Sequence, residues 1–153
     1  MLRHKSLHPL SHQHHNGLAL GVMVRRALEA DPSPASVARQ SRRALDRFDV
    51  ELVNHFAIEE QFLFPAIEGE LGPHALVRAL IGEHRELERL AARLRAQPED
   101  EPTLLAFLEL LRRHIRTEEN DLFEEIQRRL AAATLERLGA EFEARAVRVC
   151  LEP

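Results

Sequence analysis

HFAIEEQFLFPAIE, starting at His55, and HIRTEENDLFEEIQ, starting at His114, are two versions of one segment. In each, two glutamates follow the histidine four and five residues on: Glu59 and Glu60 in the first, Glu118 and Glu119 in the second. Leu63 then matches Leu122, Phe64 matches Phe123, and Ile67 matches Ile126. Four residues is just over one helical turn, so each histidine shares a helix face with its first glutamate. An imidazole nitrogen beside a carboxylate oxygen, presented twice, is half of a carboxylate-bridged metal pair.

Both segments sit inside long helical patterns. Leu45, Phe48, Leu52, His55, Glu59 and then Phe62 or Leu63 draw one stripe at intervals of three and four, so a helix is expected from about Ala35 to Glu70, bent near its end by Pro65. Phe107, Leu111, His114, Glu118, Leu122 and Ile126 draw another, from about Thr103 to Ala132. Asp31-Pro32-Ser33-Pro34, Leu71-Gly72-Pro73 and Pro98 to Pro102 punctuate the chain and leave two further helices, roughly Pro9 to Ala30 and His74 to Gln97. Thr134 is placed to cap a short fifth helix ending near Val147. No stretch alternates with period two. The expectation is an all-α fold, an up-down four-helix bundle with a short additional C-terminal helix, forming one domain over residues 1–153.

A larger repeat encloses the first. LSHQHHNGL at Leu10 and LIGEHREL at Leu80 each carry a leucine four residues before a histidine, aligning His14 with His84. The order along the chain is therefore a lone histidine, then His-x-x-x-Glu, twice over. A duplicated half-bundle of this kind places a metal pair on a pseudo-two-fold axis. His15 is the rival to His14, since neighbours on a helix are only about 100° apart. Leu10 and Leu18, one turn to either side, favour His14.

Spacing alone is a weak signal, because surface contacts on charged helices also make His-x-x-x-Glu pairs. Position along the stripe is stronger. His55 and Glu59 continue the apolar line of Phe48 and Leu52, and His114 and Glu118 that of Phe107 and Leu111. Ionised carboxylates are almost never fully buried without a paired charge or a metal. With His14 and His84 also inward, a satisfied core histidine explains one such intrusion but not six. Glu60 and Glu119 fall one residue off the stripe and read as outer or surface groups. His74 reads as a loop or helix-start residue, and His12 and His15, three apart on one face, as solvated polar groups rather than a second, surface metal site.

Composition narrows the function. With 21 Lys and Arg against 25 Asp and Glu the net charge is −4, and there is no basic stripe for nucleic acid. No apolar run is long enough to span a membrane, and MLRHKSLHPLSHQHH lacks the apolar core of a signal peptide. The single cysteine, Cys150, can form no internal disulfide, which suits a cytoplasmic location. Tyr and Trp are absent, so neither a tyrosyl radical nor a tyrosinate ligand is available.

Imidazoles and carboxylates without thiolate argue against closed structural zinc and suit iron, with manganese or a mixed pair as runner-up. A ferritin-like centre needs Glu-x-x-His on two helices. Ser11, Leu52, Ile81 and Leu111 stand three before the four histidines, so that motif is absent.

The ordered motifs LSHQHHNGL, HFAIEEQFLFP, GEHREL and HIRTEENDLF resemble the hemerythrin-like (HHE cation-binding) family, over about Leu10 to Ile126. The resemblance implies a left-twisted four-helix bundle around a non-heme di-iron centre, with His14, His55, Glu59, His84, His114 and Glu118 as ligands and the two glutamates bridging. Oxygen-carrying members place a second histidine on the third helix, where this chain has Leu80 and Glu88 four residues either side of His84. One iron then lacks a nitrogen, or takes water or Glu88. The resemblance therefore implies a small-ligand protein for O2, NO, peroxide or azide, or an iron-handling one, rather than a reversible carrier. A di-iron oxidase or peroxidase and a metal-independent helical interaction module are the alternatives. Phe48, Phe56, Phe62, Phe107 and Leu111 are the residues expected to line the ligand pocket.

Overall fold

The computed structural model describes residues 2–149, so Cys150 lies outside the described residues. All regular structure among the described residues is helical. After a 3-10 turn at Lys5–Leu7 come α1 (His8–Ala30), α2 (34–71), α3 (Ala75–Ala96), α4 (101–129) and α5 (Ala132–Arg145). Local chemistry sets the boundaries. Ser33 accepts the Ser36 N–H at 3.2 Å ahead of Pro34, and Asp100 accepts the Thr103 N–H at 3.2 Å ahead of Glu101. Gly72, at φ 80°, ends α2 in a conformation that side chains resist. Thr134 does not cap α5, which already begins at Ala132. The Thr134 hydroxyl instead donates to Glu70, which also accepts the Ala131 N–H at 2.9 Å and so ties α5 to the end of α2.

Three wide π turns interrupt the long helices, and the stripe pattern did not anticipate them. They span Phe48–Leu52 and Glu59–Leu63 in α2 and Glu118–Leu122 in α4. In the latter two the Phe64 and Phe123 N–H groups reach back five residues to the carbonyls of Glu59 and Glu118. Both turns thus open at the glutamate of a repeated motif, where such bulges often re-aim functional side chains. Pro65 follows the second turn at the start of an α segment, where its missing N–H is least costly.

α1 packs against α2 and α4, and α3 packs against α4 and α2, while α5 folds back onto α1, the 3-10 turn and the middle of α2. The arrangement fits a helical bundle. Its apolar interior falls into two clusters. One gathers Leu20, Val24, Phe48, Phe56, Leu87, Phe107, Leu111 and Ile115. The other gathers Leu10, Leu63, Ile67, Leu80, Leu122, Phe123 and Ile126, with Leu135, Leu138 and Phe142 of α5. Each fully buried side chain of this size contributes about 1.5–3 kcal/mol of transfer free energy. Between the clusters lies a polar layer: His14, His55, Glu59, His84, His114 and Glu118 are all at most 3% exposed.

Candidate metal centre

Each of the four buried rings gives its Nδ1 proton to an outer acceptor. His14 Nδ1–H donates to Glu119 Oε1 at 2.6 Å and His84 Nδ1–H to Glu60 Oε1 at 2.8 Å. His55 Nδ1–H donates to Gln13 Oε1 at 2.9 Å and His114 Nδ1–H to Glu83 Oε2 at 2.9 Å. Carboxylate and amide oxygens only accept here, so the proton must sit on Nδ1 in every ring. The Gln13 amide orientation is itself fixed, because its Nε2 donates to the Val147 carbonyl at 3.0 Å and to Asn54 at 3.0 Å. In the neutral rings all four Nε2 lone pairs therefore face inward, which is the tautomer of metal-ligating histidine.

The inner atoms crowd together. His14 Nε2 lies 2.9 Å from His55 Nε2 and 2.9 Å from Glu118 Oε2. Glu118 Oε2 is also 3.3 Å from His114 Nε2. Glu59 reaches both sides, with Oε1 3.0 Å from His55 Nε2 and Oε2 3.2 Å from His84 Nε2. With the Nδ1 protons committed, neutral rings would set lone pair against lone pair at these contacts, and only a proton or a cation relieves them. Both oxygens of Glu59 and of Glu118, with Nε2 of His84 and His114, are buried without a hydrogen-bond partner. Orphaned atoms of this kind cost free energy unless a cation satisfies them.

Two four-residue groups emerge among the described residues: His14, His55, Glu59 and Glu118, and Glu59, His84, His114 and Glu118. Within each, the inward atoms all lie within 4.8 Å of one another. Glu59 and Glu118 belong to both groups, the disposition of bridging carboxylates. Each group holds two imidazoles, so both halves are evenly supplied and neither lacks a nitrogen relative to the other.

The electrostatics point the same way. Burial disfavours imidazolium at His55, but the Glu59 and Glu118 carboxylates outweigh it and raise the ring to about 10. His14 and His84 are likewise raised, against burial, by Glu118 and Glu119 in the one case and Glu59 and Glu60 in the other. Burial and the Glu118 charge oppose ionisation of Glu59, yet His55 and His84 bring its pKa down. Glu118 is held well below the usual carboxylate range, against burial, by His114, His14 and His55. The cluster is built to hold positive charge at its centre.

The hemerythrin HHE cation-binding domain model matches residues 6–126. The chain belongs to that family. The matched span of this hemerythrin-like domain contains all six candidate ligands and stops before α5. Comparison with curated proteins and with solved structures gave no match. The HHE domain and the buried His/Glu cluster fit a metal-binding protein. No helix among the described residues is long and apolar enough to cross a membrane.

Several neighbouring residues find other roles in this hemerythrin-like domain. His15 and His12 are exposed, whereas His14 is 3% exposed, so the structure brings His14 and not its rivals to the centre. Glu88 pairs with Arg85 at 2.6 Å on the surface, away from the cluster. Of the two readings open for Glu60 and Glu119, the structure takes the outer one: both carboxylates orient a buried ring. Phe56 stacks on His84 at 3.9 Å between centroids, Phe48 meets Phe56 edge-to-face, and Phe107 meets Phe48 in the same way. Phe62 is a correction: it lies outside the pocket under the Arg145 guanidinium. Phe123, stacked on His14 at 5.4 Å, and Phe64, stacked on His84 at 5.9 Å, take that wall instead. Both follow a π turn, whose extra residue rotates the next side chain inward. Gln13 and Glu83 were also not foreseen. Their one available signal is that each immediately precedes a lone histidine.

Proposed function

We propose that α1 to α4 form an up-down four-helix bundle, within one domain, around a non-heme di-iron centre. His14 and His55 serve one iron, His84 and His114 serve the other, and Glu59 and Glu118 bridge them. The observation that carries this reading is the group of six orphaned buried atoms on Glu59, His84, His114 and Glu118, which lie together in the two clusters of inward donors. Six donors for two ions leave open positions, which suits iron, with manganese or a mixed pair as runner-up, better than closed tetrahedral zinc.

The bound pair would supply open coordination positions and redox chemistry for O2, NO, peroxide or an anion such as azide. The chain supplies the rest. Glu119, Glu60, Glu83 and Gln13 hold each ring by its Nδ1–H and make Nε2 a better donor. Phe56, Phe64 and Phe123 cover ring faces and keep the layer dry. The working reading is a cytosolic small-ligand binding, sensing or iron-handling protein. Metal analysis of protein purified from iron-replete cells tests it, followed by visible spectra with and without azide. Roughly two irons per chain and an azide-dependent band are expected. Protein that purifies folded with no metal, and takes up none, would leave the interaction-module reading standing.

A further inference from the structure

The two halves of the site correspond helix for helix, α1 with α3 and α2 with α4. His14 answers to His84, His55 to His114, Glu59 to Glu118 and Glu119 to Glu60. The outer hydrogen bonds obey the same relation, running from His14 to Glu119 in α4 and from His84 to Glu60 in α2. The remaining pair breaks it. Gln13 and Glu83 occupy equivalent places, each one residue before a lone histidine, and each accepts an Nδ1–H at 2.9 Å. One is a neutral amide and the other a carboxylate.

The other charges do not restore the balance. Glu119 is matched by Arg3 at 2.9 Å, and Glu60 by Arg85, so these two equivalent carboxylates cancel in the comparison. Glu83 has only Arg113, 3.4 Å away and 62% exposed, where solvent screens it. Glu51 is buried near His55, but it accepts from Asn16 at 2.9 Å rather than from a ring nitrogen. A carboxylate acceptor transfers more negative character through the imidazole than an amide oxygen does. The packing explains why α1 uses glutamine. Its Nε2 donates to the Val147 carbonyl and to Asn54, and a glutamate there would have no proton to offer them.

Building on the dinuclear reading above, we propose that the two metal positions are unequal: the His84/His114 position, backed by Glu83, fills first, and the His14/His55 position, backed by Gln13, fills second and releases its ion sooner. Glu83 and Gln13 are positioning residues that set the order. A divalent cation should separate the two positions by at least about tenfold in affinity, the scale on which outer partners of ligating histidines act.

The test uses the full metal-free chain with isotope-labelled histidine rings and zinc(II) as a diamagnetic probe. At one equivalent, the ring signals of His84 and His114 should move while those of His14 and His55 stay. The second equivalent should move the latter pair. Glu83→Gln should make all four rings move together, and Gln13→Glu should do the same by strengthening the weaker position. If His14 and His55 respond first, if the wild-type rings respond in unison, or if Glu83→Gln leaves the order unchanged, the proposal is overturned. Saturation at fewer than two zinc ions would instead overturn the dinuclear reading and take this inference with it.

Discussion

His14 Nε2 and His55 Nε2 lie 2.9 Å apart, and each ring commits its Nδ1 proton outward, so two neutral rings would have none to place between them. Something positive must occupy the centre, either a metal or protons. In metal-free protein the protons win, as the rise of His55 to about 10 indicates.

Metal uptake should therefore be pH-dependent. The raised His55 stabilises the metal-free fold fully below its unfolded value of about 6.5, and that contribution is lost as pH rises through its folded value of about 10. His14 and His84 are raised in the same direction. The lowered Glu59 and Glu118 contribute above about 4.5 and lose their contribution as pH falls through their depressed values. Because a metal must displace the imidazole protons, its apparent affinity should climb between about pH 6.5 and 10. Chelator competition across that range measures it. A flat profile would mean that no protons are released.

Stripping the metal should loosen the fold. A ligand present at about a thousand times its Kd stabilises by about 4 kcal/mol, which for a domain of this size is a Tm shift of roughly 10 °C. Thermal melts with and without chelator at neutral pH give the comparison, and coincident midpoints would count against a central site.

Removing an outer acceptor should weaken metal binding without removing a ligand. Glu119→Ala and Glu60→Ala are each expected to cost about 10–100-fold in affinity. Glu88→Ala, which loses only a surface contact to Arg85, should leave metal content and spectrum unchanged.

With two imidazoles on each side and no second histidine on α3, iron-loaded protein is expected to bind azide or NO and to be oxidised by O2. Repeated cycles of exposure and evacuation, followed by visible absorption, decide this. Full recovery of the reduced spectrum over many cycles would restore the carrier reading.

Gly139→Ala tests the docking of α5. A helical glycine replaced by alanine ordinarily gains about 0.5–1 kcal/mol. Here the new Cβ would lie 2.7 Å from Ser6 Oγ and 3.0 Å from its backbone Cα, which cannot easily retreat. Overpacking of about 1–3 kcal/mol should prevail. Denaturant unfolding should show lower stability, with metal stoichiometry unchanged.

The helices and the inward stripe were legible because burial imposes a period of three to four on the residues that face the core, and His55, Glu59, His114 and Glu118 share it. His14 could be told from His15 only by its leucine neighbours, and 3% exposure agrees with that choice. The outer acceptors were less legible. Gln13 and Glu83 act across to a neighbouring helix, and nothing in a one-dimensional spacing reports which partner they meet. The π turns escaped for a different reason. A single added residue shifts the stripe by one position, which explains why Phe62 and Leu63 were both open as continuations while Leu63 is the one fully buried.

The wide turns at Glu59–Leu63 and Glu118–Leu122 occupy the same place in both copies of the repeat, while the turn at Phe48–Leu52 has no partner in α4. A π turn is in effect a one-residue insertion absorbed without breaking the helix. Extra residues at one register in α2 and α4 keep the two copies in step, so Phe64 and Phe123 follow Glu59 and Glu118 at one shared offset and meet His84 and His14 in the same stacked way.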